Sequence, residues 1–229
     1  MTNVQLPEPK GVVLDLDGTL VDTVRTRINA WLRTFEEEGI PADRSLVAEL
    51  IGSDGRQLAR IVAKASGHEV DDERAERIDA RSGAIYSELN VDPQPLPGVK
   101  AFLDALDELR IPWAIATSSR REQVGRSVAS LHFKEPPIIA DGTAVQLAKP
   151  HPDLLLAAAG ALEVHPTSCW AIGDSTWDMV AAEAAGMVAI GITAGSAMSP
   201  DELRAAGAVL VLPTTARLIP HLKAKRRVP

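Results

Sequence analysis

The chain has 229 residues, of which 45% are hydrophobic and only 3% aromatic; this suffices for an aliphatic, alanine-rich core in one α/β domain with an insertion, or in two small domains. Its 24 Lys and Arg against 31 Asp and Glu give a net charge of −7, which argues against nucleic acid as the main partner. One cysteine, Cys169, excludes an internal disulfide, the stretch Met1 to Lys10 has no apolar signal core, and no apolar run is long enough to span a bilayer, so the chain reads as soluble and cytoplasmic with no membrane partner.

The first apolar run, Gly11–Leu16, predicts a buried β-strand that leads into Asp15-Leu16-Asp17-Gly18-Thr19-Leu20. Side chains alternate along a strand, so Asp15 and Asp17 are expected to leave the backbone in the same direction. Gly18 lets the chain turn away and exposes both at the strand's carboxyl end. Two adjacent acids repel unless a cation lies between them or one keeps a proton. The arrangement points to a magnesium-dependent phosphoryl-transfer site with an aspartyl nucleophile.

About a hundred residues separate this run from the next strand-like one, far more than a crossover helix needs. Residues 23–91 are therefore expected to form a helical bundle inserted after the first strand, with 1–22 and 92–229 forming the core. Ile28, Trp31, Leu32 and Phe35 make one helical stripe, closed by Gly39 and Pro41. Leu46, Val47, Leu50 and Ile51 make a second stripe, and Leu58, Ile61, Val62 and Ala65 a third. A fourth helix runs from Asp71 toward Leu89, and Asp92–Gly98 is a stiff return linker. Arg56 follows a glycine-containing loop between two of these helices. It is either a recognition residue for a carboxylate or second phosphate, or a surface arginine at a helix start. Arg25 and Arg27 are further recognition candidates, with solvent-facing positions the favoured reading.

Further strands are expected at Trp113–Ala116, Pro137–Ala140, Cys169–Ile172, Val188–Ile192 and Ala208–Leu212, alternating with helical patterns, which predicts a doubly wound, Rossmann-like parallel sheet. Open sheets of this kind bind ligands at strand carboxyl ends, where three more motifs fall. Ala116-Thr117-Ser118-Ser119 could hold phosphoryl oxygens through hydroxyls and backbone N–H groups, or be an ordinary turn. Lys149 could neutralise a pentacoordinate phosphorus, or be a solvated lysine. Gly173-Asp174-Ser175-Thr176-Trp177-Asp178 offers Asp174 to a hard cation. Ser175 and Asp178 have capping-box spacing, so Asp178 could finish a helix N-terminus, support a metal, or do both. Trp177 is placed at the pocket rim, Trp113 and Cys169 in core strands, and His68, His132 and His165 at the surface or in loops. The basic stretch Lys223–Arg227 reads as a solvated tail.

In order and residue type these motifs resemble the haloacid dehalogenase superfamily over nearly the whole chain, with Asp15 to Thr23 as the first signature and Thr117, Lys149 and Gly173-Asp174 with Asp178 as the others. The helical insertion resembles the type 1 cap of phosphoglycolate-phosphatase-like and β-phosphoglucomutase-like members. The resemblance implies that Asp15 attacks phosphorus and that Asp17, its protonation favoured by neighbouring acids, serves as acid and then base. It also implies that Thr117, Ser118, Lys149 and Gly18 hold the phosphoryl group, and that Mg2+ sits on Asp15, the Asp17 carbonyl, Asp174 and Asp178. The expected partner is a small phosphorylated metabolite, bound by a monomer or homodimer. Asp17 argues against a haloacid substrate, and Arg56 stands where a phosphonoacetaldehyde hydrolase needs a Schiff-base lysine. A β-phosphoglucomutase-like mutase would carry a glutamate where Gly173 stands. A non-catalytic phospho-accepting module would be much shorter and lack the insertion.

Overall fold

The computed structural model describes residues 6–223; residues 1–5 and 224–229, which include part of the polar N-terminal stretch and most of the basic stretch read above, lie outside the described residues. Six parallel strands form one sheet in the order β3-β2-β1-β4-β5-β6: β1 Gly11–Leu14, β2 Trp113–Ala116, β3 Ile139–Ala140, β4 Cys169–Gly173, β5 Val188–Ile192 and β6 Leu210–Leu212. After β3 the chain crosses back to pair β4 with β1, so β1 lies at the point where the strand order reverses. The carboxyl ends of β1, β2 and β4 are thereby side by side.

Helices cover both faces of the sheet, the doubly wound arrangement that the strand–helix alternation predicts. On one face Val12, Leu14, Ile115, Trp170 and Ile172 pack with Phe102 and Leu106 of α5 (Val99–Leu109) and Val124 of α6 (Arg121–Ser130). On the other, Val13, Ala114, Ala116, Ala171 and Ala189 meet Leu154 and Ala158 of α7 (Asp153–Ala161), Met179 and Ala182 of α8 (Thr176–Ala184) and Leu203 of α9 (Pro200–Ala205). Strand alternation sorts large side chains to one face and mostly alanines to the other, which is how a chain poor in aromatics builds a dense core. A last helix, α10 (Ile219–Lys223), returns Leu222 to the first face. Among the described residues no helix is long and apolar enough to cross a membrane.

Between β1 and β2 stand four further helices: α1 Val24–Glu37, α2 Arg44–Leu50, α3 Gly55–Ala65 and α4 Asp72–Leu89. The three later ones start where Asp43, Asp54 and Asp71 accept first-turn N–H groups. Their stripes meet in a separate apolar cluster that includes Ile28, Trp31, Phe35, Val47, Leu58, Val62 and Ile78. Strand β1 ends two residues earlier than the apolar run suggested, because the chain turns at Gly18 (φ +87°), where a Cβ would overlap the Asp174 carboxylate.

Candidate active site

Asp15, just beyond β1, Asp174, just beyond β4, and Asp178, in the first turn of α8, are buried, with one carboxylate oxygen of each within 4.8 Å of the others. Lys149 is fully buried beside them and directs its ammonium at Asp15 Oδ1 (2.5 Å), Asp178 Oδ1 (2.6 Å) and the Ala116 carbonyl (2.8 Å). An ammonium has three N–H donors, so all are engaged. The reading of Lys149 as a solvated lysine falls away. Asp178 finishes the helix N-terminus, as its spacing allowed, and also meets Lys149. Its Oδ2 accepts the Ser175 N–H (3.0 Å) and hydroxyl (2.6 Å) in a capping box, while Oδ1 faces Lys149. Thr19 donates to Asp174 Oδ1 (2.9 Å), a contact that the sequence reading did not assign.

Burial pushes the Asp15 carboxyl up to about 7, with Lys149 pulling the other way and the charge on Asp178 adding to the rise. Burial, then the charges on Asp15 and Asp178, raise Asp174 well above the usual carboxylate range. Burial opposes the charge on Lys149, but Asp15 and Asp178 outweigh it and raise its pKa. Three carboxylates against one ammonium leave two negative charges when all are ionised, the charge of one divalent cation. The donors are all oxygens, as a hard cation prefers.

Asp17 lies in different surroundings. Its Oδ1 accepts the hydroxyls of Thr23 (2.6 Å) and Tyr86 (3.1 Å), and its Oδ2 accepts Ser119 Oγ (2.8 Å) and Arg27 Nη2 (3.0 Å). Burial favours the neutral acid, but Arg27, Thr23 and Ser119 more than offset it and hold the pKa below the usual value. Two expectations are corrected here. Asp17 is held as a carboxylate, not protonated by neighbouring acids, and its side-chain partners are Thr23, Tyr86, Ser119 and Arg27. Arg27 is not solvent-facing. Its guanidinium lies 3.4 Å from the centre of the Tyr86 ring and also donates to Gln123 Oε1 (2.9 Å) and Ser119 Oγ (2.6 Å). Arg25 is exposed, as expected.

A cavity of about 60 Å3, room for a handful of waters, opens between the sheet and the four-helix insertion. Asp15, Asp17, Thr117, Ser118 and Arg27 line it, with Trp31, Ile51 and Leu58 forming an apolar wall. Thr117 is buried, and its hydroxyl accepts the Ser119 N–H (3.1 Å). The Ser118 hydroxyl donates to the Gly52 carbonyl of the insertion (2.8 Å). Arg56 does not reach this cavity. Asp54 (2.8 Å) and the Gln146 carbonyl (2.9 Å) hold its guanidinium in an adjoining groove, which sets the surface-arginine reading ahead of the recognition one. Trp177 does not line the cavity either; it packs into the apolar cluster of the insertion.

The haloacid dehalogenase-like hydrolase family model matches residues 12–192. The chain is 32% identical over 200 residues to the β-phosphoglucomutase of Bacillus subtilis, covering 85% of this chain and 88% of that protein. It is 30% identical over 190 residues to the validoxylamine A 7'-phosphate phosphatase of Streptomyces hygroscopicus, covering 80% and 85%. It is 31% identical over 189 residues to the phosphoglycolate phosphatase of Yersinia pestis, covering 81% and 82%. Among solved structures, a hydrolase from Pseudomonas syringae superposes with a TM-score of 0.88 at 31% identity, over 94% of this chain and 98% of that one.

Proposed function

Because the chain belongs to the haloacid dehalogenase-like hydrolase family and is an enzyme acting on phosphate esters, we propose that it is a magnesium-dependent phosphatase. Its substrate is a small-metabolite monoester of the phosphoglycolate or sugar-phosphate kind, hydrolysed through an aspartyl-phosphate intermediate. The observation that carries this reading is the pairing of two environments at one strand end. Asp15 lies against Lys149 in an acid cluster, and Asp17 lies two residues on among four donors.

In the first half-reaction an Asp15 oxygen forms a bond to phosphorus, the bond to the leaving oxygen breaks, and Asp17 relays to that oxygen a proton it has taken from the phosphate monoanion of the incoming ester, returning to the carboxylate. In the second, Asp17 takes a proton from the water that attacks phosphorus, and the bond to Asp15 breaks. The carboxylate state in which Arg27, Thr23, Tyr86 and Ser119 hold Asp17 is the one the second half-reaction needs. Lys149 balances charge at Asp15 while Thr117 and the backbone around Ser118 face the transferred group. Asp15, Asp174, Asp178 and the Asp17 carbonyl would hold Mg2+, which supplies charge neutralisation at the phosphoryl oxygens. The insertion serves as the cap that excludes water.

A phosphomutase is the second reading, since one relative bears that name. The glutamate such enzymes carry has no room here, because a Cβ at Gly173 would overlap the Asp178 side chain. Phosphate release from a panel of small monoesters, with magnesium or with EDTA, tests the proposal. Magnesium-dependent release is the expected result. Isomer formation from a sugar monophosphate without release would establish the mutase, and metal-independent release would sink the assigned mechanism.

The two arginines should separate in the same assay. With p-nitrophenyl phosphate, Arg27→Ala is expected to lower kcat/KM about 100-fold, because Asp17 loses its charged partner. Arg56→Ala should stay within about fivefold, since a partly exposed ion pair contributes only ~0–1 kcal/mol. Equal losses would return Arg56 to the substrate site.

A further inference from the structure

We infer that Trp177 is a positioning residue, which docks the end of α2 and the loop that follows it (49–54, called the loop below) so that this loop braces the segments bearing the phosphoryl-binding groups. Within six residues the loop makes one hydrogen bond to each of three strand-end segments. The Glu49 carbonyl accepts Trp177 Nε1 beyond β4 (2.8 Å), and the Gly52 carbonyl accepts Ser118 Oγ beyond β2 (2.8 Å). The Asp54 N–H donates to the carbonyl of Lys149 beyond β3 (2.9 Å).

The indole itself packs among the apolar side chains of the insertion although Trp177 belongs to α8, one residue before Asp178. Gly52 seats the loop closely. It has φ +93°, and a Cβ there would stand 2.7 Å from Ser175 Oγ and 4.0 Å from the Trp177 ring. Between these anchors the loop presents Ile51 to the cavity wall. Backbone groups that bond across an interface are satisfied only when both sides are in register. Seating the loop, ordering Ser118 and holding the Lys149 backbone are therefore one event, and Trp177 ties that event to the helix turn carrying Asp178. The inference rests on the phosphatase reading only where the phosphoryl site is probed.

The test uses the full chain and Trp177→Phe, which keeps an aromatic ring and removes the N–H. Hydrogen exchange reads docking at the Asp54 amide, and binding of orthovanadate with magnesium reads the phosphoryl site. The expected result is roughly fivefold faster exchange at Asp54, with the β1 and β4 amides unchanged, together with roughly fivefold weaker vanadate binding. In p-nitrophenyl phosphate turnover the loss should appear in KM more than in kcat. Gly52→Ala, which unseats the loop from its other side, should reproduce both changes. Unchanged exchange in both variants, or faster exchange with unaltered vanadate affinity, overturns the inference. Wild-type protein that binds no vanadate overturns the phosphatase reading, and the Asp54 exchange then still decides the docking.

Discussion

Asp15→Asn is expected to lower phosphate release by on the order of 10⁴-fold or more while leaving the fold intact, because the amide cannot form the bond to phosphorus. The same change should stabilise the metal-free protein near neutral pH. The native carboxyl is pushed up to about 7 from an ordinary 3.8, chiefly by burial. A group with a raised acid pKa binds its proton more tightly in the folded state, so folding stability falls as pH rises through that interval and stays low above it. Asparagine carries no such penalty. The melting temperature of Asp15→Asn relative to wild type, with EDTA present, should therefore rise between about pH 4 and pH 7 and be flat below that window. Asp17 contributes in the opposite sense and below this range, since its pKa is lowered and its stabilisation is lost only as pH falls further. Thermal melts across the window, with phosphate release measured on the same preparations, check both halves. Retained turnover would remove Asp15 as the nucleophile.

Lys149→Met should damage both activity and stability. Methionine roughly matches the volume but leaves Asp15 and Asp178 facing each other with their shared ammonium gone, and strands the Ala116 carbonyl. Breaking a buried ion pair by removing one partner costs about 3–5 kcal/mol. At ~2–4 °C per kcal/mol for a chain of this size, calorimetry should show a fall of about 10 °C in Tm. The fall should be larger at pH 8 than at pH 5, where Asp15 already keeps its proton. Turnover should drop on the order of 10³-fold, as when a donor aimed at developing charge is lost. A variant with unaltered Tm would show that the acid cluster does not depend on Lys149 for its charge balance.

Much of this was legible in the chain itself. Alternation and helical stripes are local patterns, so the six strands and the four inserted helices lie close to where periodicity put them. The largest shifts are at strand ends, as in β3 and β6, where the sheet edge rather than the apolar run decides how far pairing extends. Asp15, Lys149, Asp174 and Asp178 converge because each motif ends a strand or begins a helix, and parallel strands bring those ends to one side. The capping role of Asp178 was visible too, since a capping box is written in four consecutive residues.

Arg27, Arg56 and Trp177 were not legible in this way. Arg27 lies three residues after Val24 and four before Trp31, so its inward face could have been read from spacing alone. Its partners could not: Asp17, Ser119 and Gln123 are 10, 92 and 96 positions away. Those partners set the charge state of Asp17, which motif chemistry had read as protonated. Arg56 stands where a recognition residue was expected, but its neighbour Asp54 and a carbonyl 90 positions away hold it elsewhere. Backbone periodicity and strand direction were enough for the fold class, the order of the motifs and the side of the sheet on which they gather. Which carboxylates meet, which of them is ionised, and where each arginine and the Trp177 indole point follow from contacts between distant parts of the chain. A side chain's charge and direction depend on the groups that surround it through space, and here the seating of the insertion on the sheet supplies those groups.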